Sequence, residues 1–318
     1  MKTIINELKK LIAVVNSFGI YFGFKYFYSR ITRNRALYLK LCTDIISPYV
    51  NVNQLSCLSN DCNSILVKFP IWIFWWQGYD EMPDLCKACY KSVHDNLPKN
   101  AEIVFISKSN YQHYVAIPSQ IIDKINNGTY SITLFSDLLR NALLSKYGGL
   151  WLDSTIYCSK QIDGNLLNDN NYWSVKLVPR IQDNNAFGRY VTNRKWGGFI
   201  QKATSGERIN TIVYDSLINY MSANDFLIDY FIQNIIIRFL YENDYLVKSE
   251  IDTIPFSNPN LYELDRIMSQ PFNQSVWDKL IANTTFFKLS WKTPYLKEVD
   301  GNMTYYGYLL NTLNNSVN

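Results

Sequence analysis

Residues 134–158 contain the best candidates for catalytic or ligand-binding side chains in the sequence. Asp137 and Arg140 are three residues apart in a run whose apolar spacing predicts a helix, so their side chains share one helix face. Gly148 and Gly149 end that helix, and the apolar strand that follows delivers Asp153 at its carboxyl end. Open α/β sheets bind ligands at the carboxyl ends of their strands. The sequence therefore offers two carboxylates and a guanidinium group to one crevice.

Each of these side chains also has a structural interpretation. Ser136 is well placed to cap the helix, so Asp137 would lie in the first turn, where an acid complements the helix dipole and pairs with Arg140. Asp153 is harder to explain as a structural residue, since it follows a strand end beside a crevice. Asp153 is therefore the strongest candidate for a functional residue.

Chemistry that depends on histidine or cysteine is disfavoured. The chain has only two histidines, which excludes a His-rich metal centre. Six cysteines are present, but in a chain of this length we expect free thiols rather than a disulfide framework. Cys86 and Cys89 form one CxxC pair within a predicted helix, without a second pair at zinc spacing. We interpret them as buried helix residues, and the carboxylates remain the better candidates.

Strands and helices alternate around these residues. The chain has 318 residues, 47% of them hydrophobic, which excludes disorder as its dominant state. Alternation with short loops is typical of a mostly parallel sheet covered by helices on both faces. The predicted strands lie at residues 71–76, 101–107 and 150–152, and the predicted helices at residues 83–94, 118–126, 206–221 and 224–241.

The N-terminal segment is basic. Residues 1–46 predict two or three helices, and residues 1–40 contain eight lysines and arginines against one acidic residue, Glu7. The apolar stretch at residues 11–24 is too short to span a bilayer, which needs ~20 apolar residues. The segment either contacts an anionic membrane surface or forms an amphipathic helix packed on the rest of the protein. A nucleic-acid partner is disfavoured, because basic residues do not recur with exposed aromatics along the remainder of the chain.

Three sequence blocks follow one another with a specific spacing. They are PIWIFWWQG at residues 70–78, SDLLR at residues 136–140 and YGGLWLDST at residues 147–155. Together the blocks resemble the bacterial capsular polysaccharide synthesis proteins, which are grouped with glycosyltransferases related to the yeast initiating mannosyltransferase and the large clostridial glucosylating toxins. A fainter resemblance extends to residues 228–231 and 288–292.

The resemblance implies a fold, an activity and a location. The fold would be α/β of the glycosyltransferase-A type over residues 65–310. The residues themselves predict a basic, helical extension at residues 1–64, and the Asn-rich composition predicts a frayed tail at residues 311–318. The activity would be transfer of a sugar, with retention of configuration, from a nucleotide-diphosphate sugar, with UDP favoured, to a capsular polysaccharide or a lipid-linked acceptor. Such an enzyme is expected in the cytoplasm, on the inner face of the membrane. The alternative is a non-catalytic subunit that binds a sugar nucleotide or a glycan.

The resemblance also implies roles for individual residues. Asp153 would be the first acid of a metal-binding Asp-x-Asp motif, but Thr155 replaces the second acid, and its neutral hydroxyl is a weaker ligand for Mn²⁺ or Mg²⁺. The catalytic residues would be Asp153, Arg140 and Asp229. The nucleotide sugar would contact Trp76, Gly78, Ser136, Asp137, Arg140, Lys288, Trp291 and Lys292.

Several of these residues have competing structural interpretations. Trp76 and the tryptophans beside it could fill a core. Asp229 and Gln233 belong to a four-residue repeat of polar side chains, which is typical of a solvated stripe on an amphipathic helix. Lys288 and Lys292 could clamp a diphosphate as point charges, or they could be solvent-facing lysines of an ordinary strand.

Overall fold

A computed structural model describes residues 2–53, 67–178 and 187–314. The predicted domain boundary near residue 64 and two of the six cysteines lie outside the described residues. The strands are β1 (Phe69–Phe74), β2 (Ala101–Ile106), β3 (Gly149–Leu152), β4 (Ile156–Cys158), β5 (Trp173–Ser174), β6 (Ile200–Ala203), β7 (Phe286–Lys288), β8 (Glu298–Val299) and β9 (Asn302–Met303). The α-helices are α1 (Lys2–Phe18), α2 (Ile20–Ile31), α3 (Arg35–Ile46), α4 (Asp84–Asp95), α5 (Ser119–Asn126), α6 (Ile132–Tyr147), α7 (Gly164–Asn168), α8 (Phe187–Thr192), α9 (Arg208–Ala223), α10 (Ile232–Asn243), α11 (Tyr245–Thr253), α12 (Glu263–Ile267), α13 (Gln274–Ala282) and α14 (Tyr305–Asn314).

A five-stranded sheet lies at the centre of the fold, in the order β2-β1-β3-β6-β5. Strand β1 pairs in parallel with β2 and with β3, whereas β6 is antiparallel to both β3 and β5. Four strands of this sheet therefore run in one direction and β6 runs in the other. The prediction of a mostly parallel α/β sheet is confirmed.

The order of the first three strands creates a crevice. Strand β1 connects through α4 to β2, and β2 connects through α5 and α6 to β3, on the other side of β1. Right-handed crossovers that move in opposite directions along a sheet place their helices on opposite faces. The carboxyl ends of β1 and β3 consequently flank the point where the strand order reverses, which is where such sheets bind ligands.

Two glycines join α6 to β3, as predicted. Gly148 and Gly149 both have positive φ, at 68° and 103°. A Cβ atom on Gly149 would lie only 2.5 Å from the carbonyl oxygen of Pro70 on the neighbouring strand β1. The glycines thus let α6 end and β3 pair with β1 within two residues. The indole Nε1 of buried Trp72 donates to the Gly148 carbonyl at 2.8 Å, so this tryptophan is a core residue.

Strand β6 was not apparent in the sequence pattern because half of it is polar. Gln201 and Lys202 are both buried in the sheet. The Lys202 ammonium group donates to the carbonyl oxygens of Asp169 and Asn171, the latter at 2.5 Å. Long-range partners of this kind leave no periodic apolar signal in the sequence.

The N-terminal segment folds into three helices, which confirms that part of the prediction. Helices α1 and α2 form a hairpin that turns at Gly19, with φ of 90°. The Arg30 guanidinium on α2 donates from Nε to the Glu7 carboxylate on α1 at 2.8 Å. Tyr38 and Cys42 on α3 belong to the same hydrophobic core as the central sheet. None of the helices within the described residues is long and apolar enough to cross a bilayer.

Two element boundaries differ from the prediction. Helix α10 begins at Ile232 rather than near residue 224, because the Tyr220 hydroxyl donates to the Phe226 carbonyl at 2.7 Å and accepts from the Ile228 backbone N–H at 3.1 Å. Helix α14 runs through residue 314, so the first four residues of the predicted tail are helical. The four described cysteines are free and buried, as expected.

Candidate active site

Asp153 lies at the predicted crevice, immediately after β3. Its Oδ1 atom accepts hydrogen bonds from Arg140 Nη2 and from Trp151 Nε1, both at 3.0 Å. Its Oδ2 atom accepts from Lys288 Nζ at 2.8 Å. The side chain is 26% exposed, so the carboxylate is held between two cations while one side remains open to solvent.

Arg140 joins the two predicted aspartates. Its Nη1 atom donates to Asp137 Oδ1 at 3.0 Å and to Gln233 Oε1 at 2.9 Å, while Nη2 donates to Asp153. The guanidinium lies 5.0 Å from the centre of the Trp151 ring, and the side chain is only 5% exposed. The structure therefore brings Asp137, Arg140 and Asp153 together, as their spacing predicted.

A network of buried amide side chains supports Arg140. Asn141 Nδ2 donates to the same Gln233 oxygen at 2.9 Å, and Asn210 Nδ2 donates to Asn141 Oδ1 at 2.9 Å. The three amide side chains are almost completely buried. Buried polar groups that hydrogen-bond to one another restrict the rotamers of each member. We therefore expect the Arg140 guanidinium to be fixed in place.

Lys288 completes the cluster from a distant part of the chain. Strand β7 pairs antiparallel with β4, and this register sets Lys288 opposite Ile156. Its ammonium group contacts Asp153 Oδ2 at 2.8 Å and Thr155 Oγ1 at 2.7 Å. Lys288 is thus a residue of the site rather than a solvent-facing strand lysine.

The two aspartates of the cluster have different acidities. Burial raises the pKa of Asp137 to about 6; the Arg140 charge opposes this rise and the Asp153 charge adds to it. Burial alone would also raise the pKa of Asp153, but Lys288 and Arg140 outweigh burial and hold that pKa below its ordinary value. Asp153 is therefore ionised at neutral pH, whereas Asp137 changes charge just below neutrality.

The Asp137→Asn variant is expected to gain stability relative to the parent protein as the pH rises from 4 to 7. A raised pKa in the folded state contributes stability that is present below the ordinary value of 3.8 and is lost as pH rises through about 6. Asparagine does not titrate, so the variant does not lose this stability. The unfolding free energy of the variant minus that of the parent protein should therefore increase between pH 4 and pH 7, by up to about 3 kcal/mol. Urea denaturation across this range measures the difference. Asp123→Asn, at an exposed position on α5, is the control, and a difference that stays constant with pH would contradict the prediction.

Asp153 and Thr155 do not fit a divalent cation as they are arranged. Asp153 Oδ2 and Thr155 Oγ1 both accept from the Lys288 ammonium group. The other Asp153 oxygen accepts from Arg140 and Trp151. Within the described residues, no group of three histidine, cysteine, aspartate or glutamate side chains could hold a metal ion. The Mn²⁺ or Mg²⁺ site therefore stays a prediction.

Aromatic side chains line the carboxyl end of β1. Trp76 is half-buried; its ring stacks on Tyr111, with centroids 6.2 Å apart, and the Lys108 ammonium lies 5.5 Å from its ring centre. Gly78 follows in a turn with φ of 99°. On the other side, Trp75 meets Trp291 edge to face at 5.6 Å.

The remaining predicted donor contacts lie at the surface. Trp291 is 44% exposed, and the exposed Lys292 places its ammonium group 5.6 Å from the Trp291 ring centre. An exposed indole beside a cation is a surface on which a ligand could stack. The nucleotide-binding roles of Trp76, Gly78 and this pair stay predictions.

Ser136 does not cap α6, contrary to its predicted structural role. The cap is Ser131, whose hydroxyl accepts from the Leu134 backbone N–H at 3.2 Å. Helix α6 therefore starts a turn earlier, and Ser136 and Asp137 lie in its second turn. The sequence contains serine at both positions, so cap preference alone could not separate them.

Asp229 lies outside the hydrogen-bonded cluster. Its Oδ2 atom accepts from the Tyr38 hydroxyl on α3 at 2.9 Å, and its Oδ1 atom accepts from the Phe231 backbone N–H at 2.8 Å. The expected solvated helix stripe is wrong, because Asp229 precedes α10 and Gln233 is buried beneath Arg140. A catalytic role for Asp229 stays a prediction.

Three further residues interact with the aspartates or with Arg140, and the sequence pattern did not identify them as site residues. Trp151 lies two residues before Asp153 on the same face of β3, a period-two relation that was available from the sequence. Gln233 carried no such signal. Tyr230 is exposed at its surface, and partial desolvation together with the charges of Asp137 and Asp153 raises its pKa.

Comparison with known proteins agrees with the three sequence blocks. A family model described as capsular polysaccharide synthesis protein matches residues 21–309. The chain belongs to this family. The match includes every residue of the cluster and begins within α2, so that α3 and nearly all of α2 lie inside it and α1 precedes it. No curated protein matches the chain.

Proposed function

We propose that the protein is a glycosyltransferase of capsule synthesis. It transfers a sugar, with retention, from a nucleotide-diphosphate sugar, with a UDP-sugar favoured, to a growing capsular polysaccharide or a lipid-linked acceptor. The observation that carries the proposal is the cluster of Arg140, Asp153 and Lys288 at the switch point of the sheet, in a chain of the capsular synthesis family.

The charges of the cluster suit the chemistry of sugar transfer. When the bond between the sugar C1 atom and the diphosphate oxygen breaks, its electron pair leaves with the diphosphate, which becomes more negative. The acceptor hydroxyl oxygen forms the new bond to C1, and its proton passes to the diphosphate or to water. A fixed ammonium group at Lys288 stabilises the leaving group, an effect typically worth on the order of 100-fold in rate for one well-placed donor.

Asp153 and Arg140 have supporting roles in this scheme. Asp153 holds the Lys288 ammonium, and Arg140 holds Asp153 from its buried side. Direct contact between Arg140 and the diphosphate would require the guanidinium to leave its bridge between two aspartates, so we assign it a positioning role. Asp137, which is 15% exposed, is the candidate to accept hydrogen bonds from the ribose, and Trp76 is the candidate to stack on the base.

Release of free nucleotide tests the proposal. Wild-type protein is incubated with a panel of UDP- and GDP-sugars, and nucleotide is measured with and without a glycan acceptor. Selective release from one donor that depends on Asp153 supports a transferase. Donor binding by calorimetry without release or transfer under any condition would favour the binding subunit instead.

The N-terminal hairpin is the proposed contact with the membrane. One face packs on the protein through buried Val14 and Tyr26. The opposite face exposes large apolar side chains at helical spacing: Ile5, Leu8 and Ile12 on α1, and Ile20, Phe24 and Ile31 on α2. This apolar helical face lies within residues 1–40, which carry seven net positive charges, and such a segment is suited to the surface of an anionic bilayer.

The Phe24→Asp variant is expected to lose binding to anionic vesicles. Phe24 is 68% exposed, so the change should leave the fold intact while it removes an apolar side chain worth about 1.5–3 kcal/mol when buried in lipid. Binding to phosphatidylglycerol vesicles, measured by sedimentation, should fall about tenfold or more. Tyr245→Asp, which alters an aromatic side chain on α11 that is 80% exposed, is the matched control. Equal binding by the two variants would refute the membrane contact.

A further inference from the structure

The Lys288 ammonium group stands between the two oxygens that would hold a metal ion in an Asp-x-Asp type of site. It lies 2.8 Å from Asp153 Oδ2 and 2.7 Å from Thr155 Oγ1. We propose that this ammonium group takes the role of the divalent cation, so that the protein binds and turns over its sugar nucleotide without a metal. The inference rests on the proposed transferase function.

The backbone around Lys288 places this ammonium group firmly. The Lys288 backbone N–H donates to the Leu261 carbonyl at 2.8 Å, and the next residue, Leu289, donates to the Thr155 carbonyl at 3.0 Å. The ammonium also lies 5.1 Å from the ring centre of Phe199. The side chain is 23% exposed, so it remains accessible to an anionic ligand. Lys288 is therefore a preorganised charge rather than a mobile surface lysine.

The threonine at position 155 fits this arrangement. A second carboxylate there would supply a negative charge that a divalent cation needs, whereas a hydroxyl supplies a neutral acceptor that suffices for a single ammonium group. Two aspartates, Asp137 and Asp153, are already matched by Arg140 and Lys288. A divalent ion at the same oxygens would be repelled by the ammonium group and would compete with it for both ligands.

Metal binding gives the first test, with Mn²⁺ alone as the probe. Free Mn²⁺ is followed by its electron paramagnetic resonance signal during titration with wild-type protein and with Asp153→Asn. We expect the two proteins to deplete the signal equally, because wild-type Asp153 is occupied by Lys288. Mn²⁺ binding by the wild type that disappears in Asp153→Asn would overturn the inference, whatever the activity of the protein.

Turnover gives the second test, with two substitutions of Lys288. In EDTA, wild-type protein should release nucleotide at the same rate as in Mn²⁺, whereas Lys288→Ala and Lys288→Met should each be slower on the order of 100-fold. Added Mn²⁺ should restore much of the rate in Lys288→Ala, where the position is vacated, and not in Lys288→Met, where an uncharged chain fills it. Lys279→Ala, on the exposed side of α13, is the control, and thermal unfolding checks that each variant is folded.

The outcomes separate this inference from the proposed function. Wild-type turnover that requires Mn²⁺ and stops in EDTA would overturn the metal-free mechanism while supporting a transferase. Equal rates for Lys288→Met and wild type in EDTA would also overturn it. Absence of nucleotide release in every condition would overturn the transferase proposal itself, and the Mn²⁺ titration would still test the role of Lys288.

Discussion

The Asp153→Asn variant is expected to lose nucleotide release by on the order of 100-fold or more, with the fold intact. Asparagine preserves the shape of the side chain but carries no charge, so it holds the Lys288 ammonium and the Arg140 guanidinium more weakly. Both cations donate to this carboxylate, Arg140 at 3.0 Å and Lys288 at 2.8 Å. The loss should therefore appear in turnover at saturating donor, measured as the initial rate of nucleotide release.

A matched variant and a folding measurement complete that experiment. Asp278→Asn, on the exposed side of α13, should keep the wild-type rate. The melting temperature of Asp153→Asn should remain well above the assay temperature, because Asp153 lies at the crevice and not in the hydrophobic core. Wild-type turnover in Asp153→Asn would refute the assignment of the site.

The Arg140→Met variant is expected to lose about 3–5 kcal/mol of unfolding free energy at pH 8. Methionine fills a similar volume but leaves Asp137 and Asp153 without the guanidinium that separates them, and it removes a donor to buried Gln233. Below pH 6 the loss should be smaller, since protonation of Asp137 relieves the repulsion between the two carboxylates. Urea denaturation at pH 5 and pH 8 measures both effects.

A double variant isolates the cause of this loss. If carboxylate repulsion dominates, Arg140→Met combined with Asp137→Asn should regain a large part of the stability that Arg140→Met loses at pH 8. The single variant Asp137→Asn supplies the remaining corner of the cycle. A stability loss that does not change with pH and is not relieved in the double variant would show that Arg140 acts through packing alone.

Positions whose structure depends on nearby residues were predictable. The helix that carries Asp137 and Arg140, the glycine pair at 148 and 149, and the strand that ends at Asp153 all follow from periodicity and backbone freedom over a few residues. Alternation of these elements also sufficed to indicate the α/β class. The cap of α6 was misplaced because two serines five residues apart satisfy the same local preference.

Buried polar residues were the least predictable part of the site. Gln233 looked like a solvated helix residue, yet it is 1% exposed and accepts from both Arg140 and Asn141. Hydrophobic patterning assigns polar side chains to the surface, because burying one is unfavourable unless a partner is present. The partners of Gln233 are about 90 residues away in the chain, so no local sequence pattern could predict them.

Short-range patterns and recognisable blocks were enough to predict the class of fold, the family and the shared position of Asp137, Arg140 and Asp153 near one crevice. The place of Lys288 between Asp153 and Thr155, 135 residues after Asp153, emerges only when the chain folds. The same is true of the hydrogen bond between Asp229 and Tyr38 of the N-terminal helices. Such contacts arise when strand pairing and helix packing bring remote segments together, and side-chain chemistry alone does not specify which remote partner will be met.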